Sequence, residues 1–360
     1  MRFALSEDQK MLQDSLAKAL AEASPLDRVR KFAADPKDKA ADIWQALVEF
    51  GLPGIVVPEE FGGLGLSLLE AALASEALGA AVAPVAFMGV VLGPLALSLG
   101  GSEAQKAEWL PKLASGEVVA AACISEQIAG ARDGAGVTAA DGRLTGKALF
   151  VPGGGAAGLL VVADQAGGLH LVRGDAPGIT RALMPGLDDT RRLAELTFAG
   201  TPAEPLQAND ALGRLRDAAW VIVAADTLGA CQVMLDKAVA YAKERRQFGR
   251  VIGSFQAVKH LCAEMVAELE PARALVWYAA YAFDHAPEEA SLMAAHAKAH
   301  TSEIGRFIAR TSTEVHGGIG ITDLLGLHFW FKRIGLNRQL LGGPERVREI
   351  AARVQGLIPA

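Results

Sequence analysis

The chain has 360 residues, 35 Lys and Arg against 41 Asp and Glu, and a formal net charge of −6. It is 51% apolar and only 21% charged, with 39 Gly. That is the composition of a packed helical protein with two or three domains, and it excludes a disordered chain. The acidic balance and the absence of Lys/Arg runs exclude a nucleic-acid surface, and three scattered cysteines, Cys123, Cys231 and Cys262, exclude a disulfide framework or zinc knuckle.

The chain opens on charged, helix-starting residues, which do not read as a secretory signal. Together with the reduced cysteines this sets the expectation of a cytoplasmic protein. Ser6-x-x-Gln9 is a capping box before an amphipathic run through Met11, Leu12, Leu16 and Leu20. A second helix is expected around residues 43–50, ending at Gly51. The Pro/Gly-rich connector GLPGIVVPEEFGGLGLS follows. Residues 77–102 carry no charge, long enough to span a bilayer. Pro84 and Pro94 interrupt them and no Lys or Arg flanks their start, so a buried helix pair is expected and no membrane span.

From about residue 118 to 207, β-rich runs (VVAAACI, RLTGKALFV, GLLVVA, LHLVR, AELTF) alternate with Gly, Asp and Pro turns. This pattern predicts a small antiparallel barrel or sandwich. Helical periodicity returns from Ala211; Val258, Cys262, Met265 and Leu269 form the stripe of a bundle helix. The reading is therefore a multidomain α+β chain: a helical domain over 1–117, a β-domain over 118–207 and a C-terminal four-helix bundle over 208–360.

Several local patterns point to chemistry that the rest of the chain does not support. Gly153–Gly155 lacks the Lys and spacing of a phosphate loop and reads as a turn. His296 and His300 have metal-ligand spacing but no third ligand, so no metal is expected. The HGGIG at 316–320 resembles an esterase oxyanion hole, yet no G-x-S-x-G elbow exists to accompany it. The segment KERRQFGRVIGSFQAVKH is richer: five cations, Phe248 and two glycines offer guanidinium donors, an aromatic ring and close backbone approach to an anion. A solvated helix end followed by a turn is the plainer account of the same residues.

These segments resemble the acyl-CoA dehydrogenase family along the whole chain. LSEDQKMLQDSL and GLPGIVVPEEFGGLGLS are similar to its opening helix and its G-x-x-G-x-x-x-P-E-x-x-G-G motif. CISE at Cys123–Glu126 resembles the start of its flavin-side loop, and RRQFGRVIGSFQ and EVHGGIGIT resemble its two C-terminal motifs. The resemblance implies a helix–β–helix architecture of the acyl-CoA dehydrogenase type, a tetramer, and FAD between domains. In that family a carboxylate takes the α-proton of an acyl thioester while the β-hydride leaves to the flavin. The α-carbon is weakly acidic, so a positioned base is indispensable. Its two alternative positions align here with Gly342 and Ala219, and both lack a carboxylate.

Other departures fall on the same side. Ala131, Pro152, Pro344 and Trp220 replace a flavin-binding Ser, the Thr at flavin N5, the Thr after the base and an Arg. Ser125 and Phe150 keep part of the pattern. What a subunit gives to its neighbour's FAD is retained: Arg245, Phe248, Gln256, Gly317 and Gly318, with Glu314 in place of a Gln. The resemblance thus implies the small subunit of a heteromeric enzyme, such as pimeloyl-CoA dehydrogenase or the steroid side-chain enzymes. Such a subunit has no catalytic residue of its own and shares FAD with a homologous catalytic subunit. The acyl-CoA lies at the partner's site, and electron-transfer flavoprotein is the expected acceptor. The alternatives are a self-sufficient enzyme with a displaced base, Asp217 or Glu345, and a structural subunit without flavin. Asp217 lies about 200° around the helix from Ala219 and should face away. The apolar C-terminal helices, with Trp220, Trp277 and Tyr278 as anchors, are expected to form subunit interfaces.

Overall fold

The computed structural model describes residues 4–207 and 210–359; the expected boundary at 207/208 touches residues outside that description. Six helices come first: α1 (Glu7–Ala23), α2 (Leu26–Ala34), α3 (Ala41–Glu49), α4 (Leu68–Ala80), α5 (Phe87–Gly100) and α6 (Glu103–Ala114). The Ser6 capping box forms, with Gln9 N donating to Ser6 Oγ at 3.1 Å and Ser6 N donating to Gln9 Oε1 at 2.8 Å. Ser67–Glu70 and Ser102–Gln105 start α4 and α6 in the same way.

The uncharged stretch 77–102 is a buried helix pair, as expected, but Pro94 does not interrupt it. Pro94 lies inside the continuous, buried α5, and only Pro84 sits in the connector. Among the described residues the helix long and apolar enough to cross a membrane is instead α8 (Ala211–Glu244), and 89% of its most apolar window is buried inside the protein.

The central region is a sandwich of two four-stranded sheets. One runs β1 (Ala120–Cys123), β4 (Leu159–Ala163), β5 (Leu169–Arg173), β8 (Glu204–Pro205). The other runs β2 (Gly136–Ala140), β3 (Arg143–Pro152), β7 (Leu193–Pro202), β6 (Ile179–Met184). Cys123, Leu144, Val151, Leu160, Val162 and Phe198 fill the space between them. The expectation of a wholly antiparallel domain needs correction, because β1 pairs in parallel with β4. A short helix, α7 (Ser125–Ala129), leads out of β1, so the chain crosses over instead of turning back.

The C-terminal bundle comprises α8, α9 (Gln256–His285), α10 (Pro287–His316), α11 (Leu327–Gln339) and α12 (Pro344–Val354); a small hairpin, β9 (Arg246–Gln247) with β10 (Arg250–Val251), joins α8 to α9. In the expected helical bundle the fourth edge is shared by α11 and α12, with a break between them. Leu341 and Gly342 have φ of 59° and 102°, and Pro344 opens the next helix. Helix α8 is the axis of the molecule. Its approach to α4 is closer than side chains permit: a Cβ on Gly79 would lie 2.0 Å from Asp226 O, and one on Gly229 would lie 1.8 Å from Glu76 O. Trp220 is fully buried within this bundle. The apolarity of α8 therefore reports its own central position, and Trp220 is not an interface anchor.

Candidate functional site

The two positions expected to lack a base sit close together. Trp220 Nε1 donates to Leu341 O at 2.9 Å, which ties the start of α8 to the break between α11 and α12. Ala219 is fully buried beside it. A Cβ on Gly342 would meet Arg346 Cγ at 3.6 Å and Val347 Cγ2 at 3.7 Å, so space for a side chain exists but the backbone has the left-handed φ that suits glycine. The two carboxylates considered as displaced bases both lie beside an arginine. Asp217 is buried against Arg216 at 2.8 Å, and burial raises its carboxyl despite that partner. Glu345 is exposed, and hydrogen bonding from its own backbone N–H and then Arg338 lower its carboxyl.

Phe150, expected on the flavin side, lies near the end of β3, and Ser125, expected with it, opens α7. Phe150 has φ of 54° and its N–H donates to Met184 Sδ at 3.2 Å. Ser125 is buried at the start of α7, and its neighbour Glu126 accepts from Leu149 N at 2.6 Å. Pro152 brings neither an N–H nor a hydroxyl to this place. Behind it is a cavity of about 20 Å³, bounded by Ser75, Val85, Met88, Ile222 and Asp226, which is room for a single water.

That interior is occupied by a charged network that sequence reasoning missed. Asp226 accepts from Arg333 Nη2 at 2.7 Å, Arg191 Nη2 at 2.8 Å and Asn337 Nδ2 at 2.7 Å. Arg333 also donates to Ala83 O at 3.0 Å and Thr190 Oγ1 at 3.2 Å, and Arg191 reaches Asn337 Oδ1. Burial opposes ionisation of Asp226, but the Arg191 and Arg333 charges, with hydrogen bonds from Arg333 and Asn337, outweigh it and bring the carboxyl to about 2. The available signal was a lone acid in the apolar run VIVAADTLGA and the adjacent bases Lys332 and Arg333 in HFWFKRIGL, since charges in buried helices need partners.

The five retained residues gather at one end of the bundle, where α8 and α10 finish and α9 begins. Tyr241 stacks on His316 with ring centroids 4.7 Å apart, joining those helix ends. Ile252 N donates to Arg245 O at 2.8 Å, folding the β9–β10 hairpin back over the start of α9. Arg245 and Gln256 are exposed, and Phe248 is 93% exposed with its ring edge against Phe255 at 6.1 Å. Gly317 has φ of 63°, and a Cβ on Gly317 or Gly318 would meet nothing within 4 Å. This end thus offers a guanidinium without an ion-pair partner among the described residues, an exposed aromatic ring and open backbone, a set that fits one end of a dinucleotide. The Ser125–Phe150 region belongs to another part of the chain. His296 and His300 lie on α10, and no group of three or more potential ligands occurs among the described residues.

Residues 6–117 match the acyl-CoA dehydrogenase N-terminal domain and residues 211–356 the C-terminal domain. The chain is 32% identical to acyl-CoA dehydrogenase IpdE2 of Mycolicibacterium smegmatis, over 97% of this chain and 100% of that protein. It is 31% identical to acryloyl-CoA reductase (NADH) of Anaerotignum propionicum, over 89% and 87%. Among solved structures it resembles a chain of the Tcur3481–Tcur3483 steroid ACAD, with a TM-score of 0.89, 28% identity and 98% coverage of both chains. It shares its fold with a chain of the ChsE4–ChsE5 complex of Mycobacterium tuberculosis, with a TM-score of 0.91, 24% identity and 100% coverage of both.

Proposed function

The chain belongs to the acyl-CoA dehydrogenase family, and we propose that within it the chain is a base-lacking subunit that completes the FAD site of a homologous catalytic partner. The observation carrying this reading is an asymmetry. The carboxylate is missing at both Gly342 and Ala219, whereas Arg245, Phe248, Gln256, Gly317 and Gly318 converge on an open end of the bundle.

FAD, when bound across the interface, supplies the hydride acceptor for α,β-desaturation of an acyl-CoA at the partner's site. In this chain Arg245 neutralises the pyrophosphate, Phe248 and Gln256 line the adenine end, and the Gly317–Gly318 turn presents backbone without steric obstruction. The partner's carboxylate holds the α-proton, because none here is placed to receive it. The likeness to a steroid ACAD chain supports a steroid or fatty acyl-CoA as substrate, with electron-transfer flavoprotein as acceptor.

The test is anaerobic mixing of the chain, alone and assembled with its partner, with a panel of acyl-CoAs while the flavin band is followed. Bleaching is expected only in the assembly, and removal of the partner's carboxylate abolishes it. Substrate-dependent bleaching at ordinary turnover rates by this chain alone overturns the reading.

A further inference from the structure

Between the segment joining α2 to α3, the α4–α5 connector and the β6 edge lies a cavity of about 630 Å³, within the ~300–1,000 Å³ range of small-molecule pockets. Its walls are largely apolar, from Phe32, Trp44, Pro84, Val85 and Leu183. Its charged side chains are all cations: Lys37, Lys39, Arg181, Arg191 and Arg192. No Asp or Glu lines it, although the chain as a whole is acidic. Gly342, Ala219, Ser125 and Phe150 do not line it, although Val85 and Arg191 also border the small cavity behind Pro152.

Most of these cations have no counter-ion among the described residues. Arg191 is the exception, paired with Asp226 at 2.8 Å. Arg181 donates to the carbonyls of Gly154, Ala157 and Gly174 at 2.8, 3.0 and 2.6 Å. Arg192 donates to the carbonyls of Asp38, Asp35 and Phe32 and lies over the Phe32 ring at 4.1 Å. These bonds fix both guanidinia in place while leaving N–H groups on each, since a guanidinium carries five donors. Lys37 and Lys39 are exposed at the rim, without an ion pair among the described residues. Of the acids of the same segment, Asp38 is paired with Arg28 at 2.6 Å, and Asp35, which does not line the cavity, accepts the Lys37 backbone N–H at 2.8 Å. Half-buried guanidinia held only by neutral carbonyls leave a positive field in an apolar chamber, where an anion is stabilised more than in water.

We propose that this cavity binds an amphipathic carboxylate, its head group on Arg181, Arg192 and the rim lysines and its apolar body against Phe32, Trp44, Pro84 and Val85. Guanidinium forks match a carboxylate in geometry, and the apolar walls contribute only if the ligand carries a hydrophobic body.

The experiment uses the full chain in the assembly in which it purifies and sodium decanoate below its micelle concentration, with acetate and 1-decanol as comparators. Titration calorimetry should show one saturable decanoate site per copy of this chain, with both comparators at least ~10-fold weaker because each lacks one half of the recognition. The exposed double substitution Lys37→Glu/Lys39→Glu should weaken decanoate at least ~10-fold with an unchanged thermal midpoint, since the rim charges steer and hold the head group. Trp44→Phe should remove most of any decanoate-dependent change in tryptophan fluorescence, which localises the site. The proposal is overturned by the absence of saturable binding, by decanol binding as tightly as decanoate, by charge reversal that leaves affinity unchanged, or by a fluorescence response that survives Trp44→Phe.

Discussion

Replacing Asp226 by Asn removes the one carboxylate shared by two buried guanidinia while preserving size. The Asp226 and Arg333 side chains are 4% and 1% exposed, and Arg191 is 12% exposed. The substitution leaves both cations in the interior with only the more distant Asp188 to offset them. Breaking a buried pair from one side costs ~3–5 kcal/mol, because an uncompensated charge remains. Removing both partners of the tightest pair, as Asp226→Leu with Arg333→Met, should cost clearly less than the sum of the single changes. The network joins α8, α11, the β6–β7 loop and the α4–α5 connector, so the loss should appear as a lower denaturation midpoint of the whole chain. Urea denaturation at pH 7 of Asp226→Leu, Arg333→Met and their double variant supplies the cycle, with Asp226→Asn measured beside them. The pH dependence has a definite sign. The folded carboxyl titrates at about 2, below the ~3.9 of an unfolded Asp, so the stabilisation is complete above pH ~4 and is lost as pH falls toward 2. A single-variant cost below ~1 kcal/mol, or a double variant as unstable as the sum of the singles, refutes the reasoning.

Arg245→Ala should lower FAD retention of the assembled enzyme after dialysis by ~10- to 150-fold in affinity without dissociating the subunits; unchanged flavin content makes Arg245 a solvated helix end. Gly79→Ala should destabilise the chain by at least ~1–3 kcal/mol, since the added methyl would meet the α8 backbone at Asp226 O and α4 must move away; a thermal midpoint equal to the parent's contradicts that close approach. Lys298 is lowered by burial, and secondarily by the Arg338 charge, to about 7, while an unfolded Lys titrates near ~10.4. The folded state therefore binds fewer protons between those values, and stability should rise with pH across that window in the parent and not in Lys298→Met, as read by denaturation midpoints. Light scattering of the chain without its partner should show dimers, tetramers or aggregates; a well-behaved 37.6 kDa species at micromolar concentration contradicts the shared-flavin arrangement.

Much of the architecture was legible from short-range information. The Ser6–Gln9 box, the β-rich runs set between Gly, Asp and Pro turns and the switch to helical spacing after Ala211 each reflect backbone hydrogen bonding and burial within a few residues. The retained Arg245–Phe248 segment and the missing carboxylates at Gly342 and Ala219 were equally readable, because they depend on which residue occupies a motif position. The sequence pattern could not decide which apolar helix is central. Residues 77–102 and α8 both look like buried or interfacial helices by composition, and only the packing of α4 on α8 through Gly79 and Gly229 made α8 the axis. The parallel pairing of β1 with β4 was likewise hidden, since alternation within a strand carries no information on the direction of its neighbour. Asp226, Arg191 and the Arg333–Asn337 turn come from three separated stretches of the chain, with Arg191 inside the polar run DDTRR and Arg333 beside Lys332, so none of them reveals its partner. Their pairing, and the cationic chamber between α2, α3 and β6, exist only because tertiary packing brings distant segments together, and at those separations electrostatics depends on spatial position and burial, which residue order does not encode.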